Sequence, residues 1–169
     1  MLKINEPIPE LDVEFLQKKR RTDSKYSLYV FYRGFHCPIC KKYLEELNEK
    51  ADELDALGVS EITAISSDET LIAAKTRDNW QMYNMQIAYN LSEKSMQDWG
   101  LYISEKIQEN EPQFFNEPAV FLVKQDDNKL VYANYSSMPF ARPRFEDIVD
   151  GLKMMKENDY PARGTKFPS

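Results

Sequence analysis

Residues 29–40 read Tyr29-Val30-Phe31-Tyr32-Arg33-Gly34-Phe35-His36-Cys37-Pro38-Ile39-Cys40. The opening part completes an aromatic and aliphatic run that begins at Tyr26. It is apolar on both alternating sets of positions, as a central strand buried on both faces requires. Arg33-Gly34 breaks the run. From Pro38 the period changes: Cys40, Tyr43, Leu44, Leu47, Ala51 and Leu54 recur at helical spacing, with Lys and Glu on the other face. Proline suits a first helical turn, where its missing N–H costs no hydrogen bond. Gly58 stands where a C-terminal cap is wanted.

The two cysteines at this junction, Cys37 and Cys40, are the only ones in the chain. A Cys-x-x-Cys pair where a buried strand passes into a helix is the thioredoxin-like arrangement. The reactive species in thiol chemistry is the thiolate, and a helix N-terminus stabilises it through unpaired N–H groups and the dipole. Cys37 precedes the helix, so its sulfur is placed to accept from the N–H groups of Ile39 and Cys40. Cys40 lies one turn in, on the buried face. The spacing therefore assigns attack to Cys37 and resolution to Cys40. A structural disulfide is disfavoured, because so short a loop constrains little of the unfolded chain. A zinc site normally takes four ligands, and two Cys with one adjacent His fall short, so no metal is expected. His36, the only histidine, would as an imidazolium lower the Cys37 pKa, or it is simply a ring at the rim. Arg33 either anchors a carboxylate or faces the thiolate, the former being favoured.

The remaining pattern surrounds this unit with more of the same kind. Leu11 to Phe15 alternates as an early strand with one wet face, and Lys18 to Lys25 reads as a solvated charged turn. Val59 to Ser66 is a second buried strand. A helix capped by Ser67 or Asp68 follows to about Tyr83. Met85 to Leu91 is a short extended piece, and Ser92 to Trp99 a short helix closed by Gly100. Residues 103–116 are polar and carry no clear pattern. Pro118 to Val123 and Leu130 to Tyr135 form a hairpin around Asp126-Asp127-Asn128. A last helix runs from Arg144 to Lys156, and residues 158–169 read as an extended tail after a redox domain of residues 1–157. The order implies an α/β fold, a mixed central sheet with helices on both faces.

Composition sets outer limits. The chain has 169 residues, room for one core, and 22 Lys+Arg against 28 Asp+Glu give a net charge of −6. That balance argues against a nucleic-acid partner. Hydrophobic residues at 42% exclude a disordered chain. No apolar run approaches the roughly 20 residues that span a bilayer, so no membrane partner is expected. With no apolar signal core at the N-terminus, the expected compartment is the cytoplasm.

The segment from Tyr29 to Cys40 resembles the redox-site segment of the alkyl hydroperoxide reductase/thiol-specific antioxidant (AhpC/TSA) family, in particular its peroxiredoxin-like branch with a CPxC pair. The likeness extends to residues 3–15, to Ser66-Ser67-Asp68, to Trp99-Gly100-Leu101 and to Pro118–Val123 with its hairpin. It implies a thioredoxin-like fold with an N-terminal extension and a helical insertion, and a reactive cysteine at Cys37. In such folds a cis-proline faces the CxxC pair, and Pro118 falls there. The chain also departs from the family. Peroxiredoxins carry Thr or Ser three residues before the reactive cysteine and Pro seven before it, where this chain has Gly34 and Val30. The family arginine expected near the strand at Pro118 has no match, and thioredoxin's buried acid is replaced by Phe31.

The expected activity is that of an antioxidant-type oxidoreductase without cofactors: thiol–disulfide exchange through the dithiol and its redox-active disulfide. A hydroperoxide-reducing peroxidase is the alternative enzyme. A redox-sensing interaction protein is the reading from another class. The expected partners are a thiol reductant, such as a thioredoxin or glutathione system, and a protein disulfide or hydroperoxide. Oligomerisation is left open. The stiff segment 136–144, with Pro139 and Pro143, brings Met138, Phe140 and Arg142 as a wall facing substrate, or else Phe140 plugs the core and Arg142 pairs with a surface carboxylate.

Overall fold

Along the chain the elements are β1 (Glu14–Gln17), β2 (Tyr26–Phe31), α1 (Pro38–Ala56), β3 (Val59–Ile65), α2 (Thr70–Asn79), β4 (Gln86–Tyr89) and α3 (Glu93–Asp98). Then come β5 (Ile103–Glu105), β6 (Phe114–Asn116), β7 (Ala119–Lys124), β8 (Leu130–Tyr135) and α4 (Phe145–Asn158). The structure, a computed structural model, describes residues 1–18 and 23–166. The charged turn expected around Lys19, Arg20 and Arg21 lies outside them.

Six strands form one sheet in the order β1-β4-β3-β2-β7-β8. The three strands β2, β3 and β4 are parallel, as the connecting helices require, while β1, β7 and β8 pair antiparallel. The mixed α/β sheet expected from the sequence is thus present. Strand β2 lies inside it, pairing Phe31 with Ile65 on one side and with Ala119 on the other.

Alternation along β2 splits the core in two. Leu28, Val30 and Tyr32 point to one face, against Leu44, Leu47 and Leu54 of α1 and Phe145, Val149 and Leu152 of α4. Ala73 of α2 joins the same layer. Phe31 points to the other face, against Trp99, Phe121 and Met96 of α3. The N-terminal segment covers that second face with Leu2, Ile4, Ile8, Leu11 and Val13. Leu28, Leu44, Leu47 and Leu54 are fully buried, and each contributes about 2 kcal/mol by leaving water.

Three boundaries differ from expectation for identifiable reasons. The first strand starts at Glu14, because Leu11 and Val13 pack on the second face instead of joining the ladder. Helix α2 starts later, after Glu69, and neither Ser67 nor Asp68 caps it. The Asp68 carboxylate is engaged elsewhere, as described below. Residues 103–116 hold a separate two-stranded sheet, β5 and β6, which the polar sequence concealed. Ser92 does cap α3, its side chain accepting from Ser95 N–H, and Gly100 takes a positive φ of 71° just after it.

Candidate active site

Strand β2 carries the chain to the site and hands it to α1 within six residues. The exit is shaped by Gly34, whose φ of 139° belongs to glycine. A Cβ there would also stand 2.6 Å from Asp68 Oδ1. Asp68, from the β3–α2 connection, accepts the Phe35 N–H at 2.9 Å and so fixes the loop backbone. Cys37 N–H then donates to Gly34 O at 3.2 Å, closing a turn. Cys37 is the N-cap of α1: its backbone is extended, and its sulfur accepts the Cys40 N–H at 3.2 Å. Pro38 occupies the first helical turn, as expected. Both cysteines are unlinked and buried, Cys40 completely.

The two thiols differ sharply. The Cys37 pKa is pulled down to about 7, chiefly by the hydrogen bond from the Cys40 thiol, with the Cys40 N–H, Arg142 and Arg33 adding to the effect against burial. The Cys40 thiol is pushed up by that same hydrogen bond, then by burial and by the neighbouring Cys37 charge. One thiolate is therefore shared by the pair, and it resides on Cys37.

The cations acting on Cys37 are arginines. Burial is the main cause that lowers the His36 pKa, which disfavours the imidazolium considered from the sequence. Its edge meets Phe115 with centroids 5.0 Å apart. Arg33 anchors a carboxylate, as favoured: Nε and Nη2 grip Glu117 at 2.8 and 2.6 Å, and Ser104 Oγ donates to the same carboxylate at 2.7 Å. Arg142 lies over the Tyr43 ring at 4.0 Å and donates to Ile39 O, inside the redox motif, at 3.2 Å. Neither packing expectation for the 136–144 segment holds. Phe140 is 57% exposed, and Arg142 has no carboxylate partner among the described residues. Tyr43 completes the clasp by donating its hydroxyl to Pro143 O at 2.5 Å.

The expectation for Pro118 fails. No peptide bond among the described residues is cis, so Glu117–Pro118 is trans. The trans form is the lower in energy, and here Pro118 simply enters β7, where its lack of an N–H is tolerated. Its carbonyl accepts from Ser136 N–H at 2.9 Å. Pro118 therefore drops out of the site.

Residues 7–133 match the model of the AhpC/TSA family. The chain belongs to the AhpC/TSA family. Among solved structures it is similar to a peroxiredoxin-like protein from Aquifex aeolicus, at TM-score 0.71 and 20% identity over 91% of this chain and 88% of that one. It is also similar to reduced Prx3 from Vibrio vulnificus, at TM-score 0.75 and 13% identity over 90% and 99%. A third is a cysteine-to-serine mutant of peroxiredoxin 6 from Arenicola marina, at TM-score 0.77 and 12% identity over 94% and 76%. These likenesses establish the fold. No curated protein matches the chain by sequence.

Membership makes this AhpC/TSA protein a thiol-dependent oxidoreductase, and its own residues set the detail. Several were not singled out from the sequence. Phe115 of β6 is flanked by His36 and by the Arg33 guanidinium, 5.2 Å from the ring. Asn116 Nδ2 donates to Tyr32 O at 3.1 Å. With Glu117 they bolt the β5–β6 hairpin to the end of β2. All lie where the sequence shows no apolar period. Asp68 carried a signal, an acid directly after a buried strand, but capping was the obvious use for it. The family match stops at residue 133, before the segment that carries Arg142.

Proposed function

We propose that this AhpC/TSA protein is a thiol–disulfide oxidoreductase in which Cys37 attacks and Cys40 resolves. The observation that carries the reading is the hydrogen bond from Cys40 N–H to Cys37 Sγ at the head of α1, with Cys40 sealed one turn behind it. The Cys37 thiolate attacks one sulfur of a substrate disulfide, forming a mixed disulfide and releasing the other half as a thiolate. Cys40 then gives up its proton and attacks Cys37 Sγ, releasing the second thiolate and closing the Cys37–Cys40 disulfide. Two electrons pass to the substrate, and a thiol reductant of the thioredoxin or glutathione kind returns them. Arg142 and Arg33 hold the charge on Cys37. Exposed Met138 and Phe140 supply an apolar rim for a partner beside Arg142. The reaction needs no metal or organic cofactor. A cytoplasmic setting suits a protein that must be re-reduced, and no helix of the described residues is long and apolar enough to cross a membrane.

A peroxidase reading is favoured by Arg142, an arginine without a carboxylate partner among the described residues, whose charge acts on Cys37. There the Cys37 thiolate takes the terminal oxygen of a hydroperoxide, becoming a sulfenic acid and leaving an alcohol. Cys40 then condenses with it and expels water. One experiment tests both readings. Cys40→Ser is incubated with a disulfide or, separately, with a hydroperoxide, and the adduct on Cys37 is identified by mass. A trapped mixed disulfide supports exchange, and a sulfenic acid formed at comparable rate supports peroxidation. Modification at Cys40 but not Cys37 in wild-type protein would overturn the assignment of roles.

A further inference from the structure

Asp68 is a buried acid that the chemistry above leaves unused. It is 4% exposed, and no cation among the described residues pairs with it. Its backbone is pinned just beyond two core strands. Asp68 N–H donates to Ser66 Oγ at 3.2 Å, and Asp68 O accepts the Asn90 N–H at 2.9 Å past the end of β4. Leu91 N–H donates to Ser66 O at 3.1 Å, tying the two strand ends together. The carboxylate is therefore aimed from a rigid base.

It is aimed at the β2–α1 loop. Oδ2 accepts the Phe35 N–H at 2.9 Å. The carboxylate also fills the space that a side chain at position 34 would take, Oδ1 standing 2.6 Å from where its Cβ would be. The Phe35 ring stacks on Trp80 with centroids 5.7 Å apart, a second tether on the same loop. The backbone so held serves both cysteines: Gly34 O accepts the Cys37 N–H at 3.2 Å, and the Arg33 N–H bonds the Cys40 sulfur. Burying a carboxylate without a counter-ion is costly, and a neutral amide would satisfy the Phe35 N–H without that cost. The charge itself therefore calls for a use.

We propose that Asp68 is a positioning residue for the reaction at Cys37: its ionised carboxylate holds the Gly34–Phe35 backbone so that Cys37 is fixed at the head of α1, and its protonation loosens that hold and slows attack by the thiolate. This rests on Cys37 as the attacking sulfur, as read above. A hydrogen bond to a carboxylate is about twice as strong as one to a neutral acceptor, so a proton weakens the tether without deleting it. Burial raises Asp68 from 3.8 to about 6, against the Phe35 N–H and the Ser66 hydroxyl, which places the change just below the Cys37 midpoint of about 7.

Through-space effects in that range have the opposite sign. Glu69 and Glu111 line the same recess as Asp68, and so does His36. Protonation of Asp68, of either glutamate or of His36 removes negative charge or adds positive charge, and each favours the Cys37 thiolate. Tyr32 of β2 feels the Asp68 charge but is kept protonated by burial, and Arg33 is held charged by Glu117. Ile72, which faces the recess from α2, carries no charge.

The test is the pH profile of Cys37 alkylation by iodoacetamide in the reduced protein, with the adduct located by mass and circular dichroism reporting the fold at each pH. A thiolate alone gives a limb that falls about tenfold per pH unit below its midpoint. The wild-type limb is expected to be steeper below about pH 6, the additional fall reaching about threefold. Asp68→Asn, isosteric and uncharged, should follow the simple limb and react about threefold more slowly than wild type on the alkaline plateau, where Cys37 is ionised in both. The wild-type limb carries the test by itself should the variant misfold. Either a wild-type limb no steeper than that of a lone thiolate or equal plateaus in the two folded proteins overturns the positioning role and leaves Cys37 as the attacking thiol. Label on Cys40 in place of Cys37 overturns both.

Discussion

At the residue scale the site is a balance of charge around one sulfur. Arg142 acts on Cys37 and no carboxylate among the described residues shares its charge, so its removal should be felt directly. Arg142→Ala is expected to move the midpoint of Cys37 alkylation upward from about 7 and slow alkylation at pH 7 about threefold. Arg142→Lys should retain part of the effect; an unchanged pH profile in Arg142→Ala would remove the arginine from the chemistry. Asp68 titrates in the opposite sense. Burial raises it from 3.8 to about 6 in the folded protein, despite the Phe35 N–H. Its protonated form is thus favoured by folding, a contribution fully present below pH 3.8 and lost as pH rises through 6. Wild type should therefore lose up to about 3 kcal/mol relative to Asp68→Asn between about pH 4 and 7, read by denaturant unfolding at each pH. Cys37, Cys40 and Arg33 were legible from the sequence, because spacing and a strand-to-helix junction specify where such groups must stand. Asp68, Glu117 and Tyr43 were not, since each reaches the site across a tertiary contact that no local period records.

At the element scale the sequence was clearest wherever one period dominated. Strand β2 and helix α1 emerged almost to the residue, since an unbroken apolar run and a six-residue helical stripe leave little choice. The β5–β6 hairpin did not emerge, because its apolar residue, Phe115, packs on side chains of the redox loop and not on a sheet face. The joints between elements yield two more tests. Gly34→Ala places a methyl group 2.6 Å from an Asp68 oxygen at a φ of 139°, so it combines a clash with backbone strain. It is expected to destabilise the fold by about 3 kcal/mol. Adding Asp68→Ala should recover only part of the loss, since the strain at position 34 remains; full recovery would mean that the clash alone mattered. At the other joint, Tyr43→Phe deletes the hydroxyl that holds Pro143 O and leaves the ring beneath Arg142. That change should cost about 1 kcal/mol and raise hydrogen exchange in residues 136–144 while the β-sheet amides stay protected.

At the scale of the whole molecule, the redox state and the stability of the fold are one linked quantity. The parallel β2-β3-β4 core holds the head of α1 still, and the head of α1 holds a thiolate that the unfolded chain does not favour. Folding therefore lowers the Cys37 pKa from 9.0 to about 7. The sign follows from that direction: the Cys37 contribution to the stability of the reduced protein is fully present above pH 9 and is lost as pH falls through 7, while the raised Cys40 thiol begins to oppose it as pH rises through 9. The disulfide form carries no such group, and its four-residue loop adds little constraint. Unfolding free energies measured for reduced and oxidised protein should thus diverge with pH, the reduced form gaining about 2 kcal/mol on the oxidised form between about pH 6 and 9. Around a thermodynamic cycle, whatever stabilises the folded dithiol makes the folded disulfide easier to reduce. The same two measurements on Cys37→Ser, which has no thiolate to stabilise, should run parallel under oxidising and reducing conditions. If wild type does so as well, the charge on Cys37 is not supported by the fold, and the junction between β2 and α1 positions a thiol without activating it.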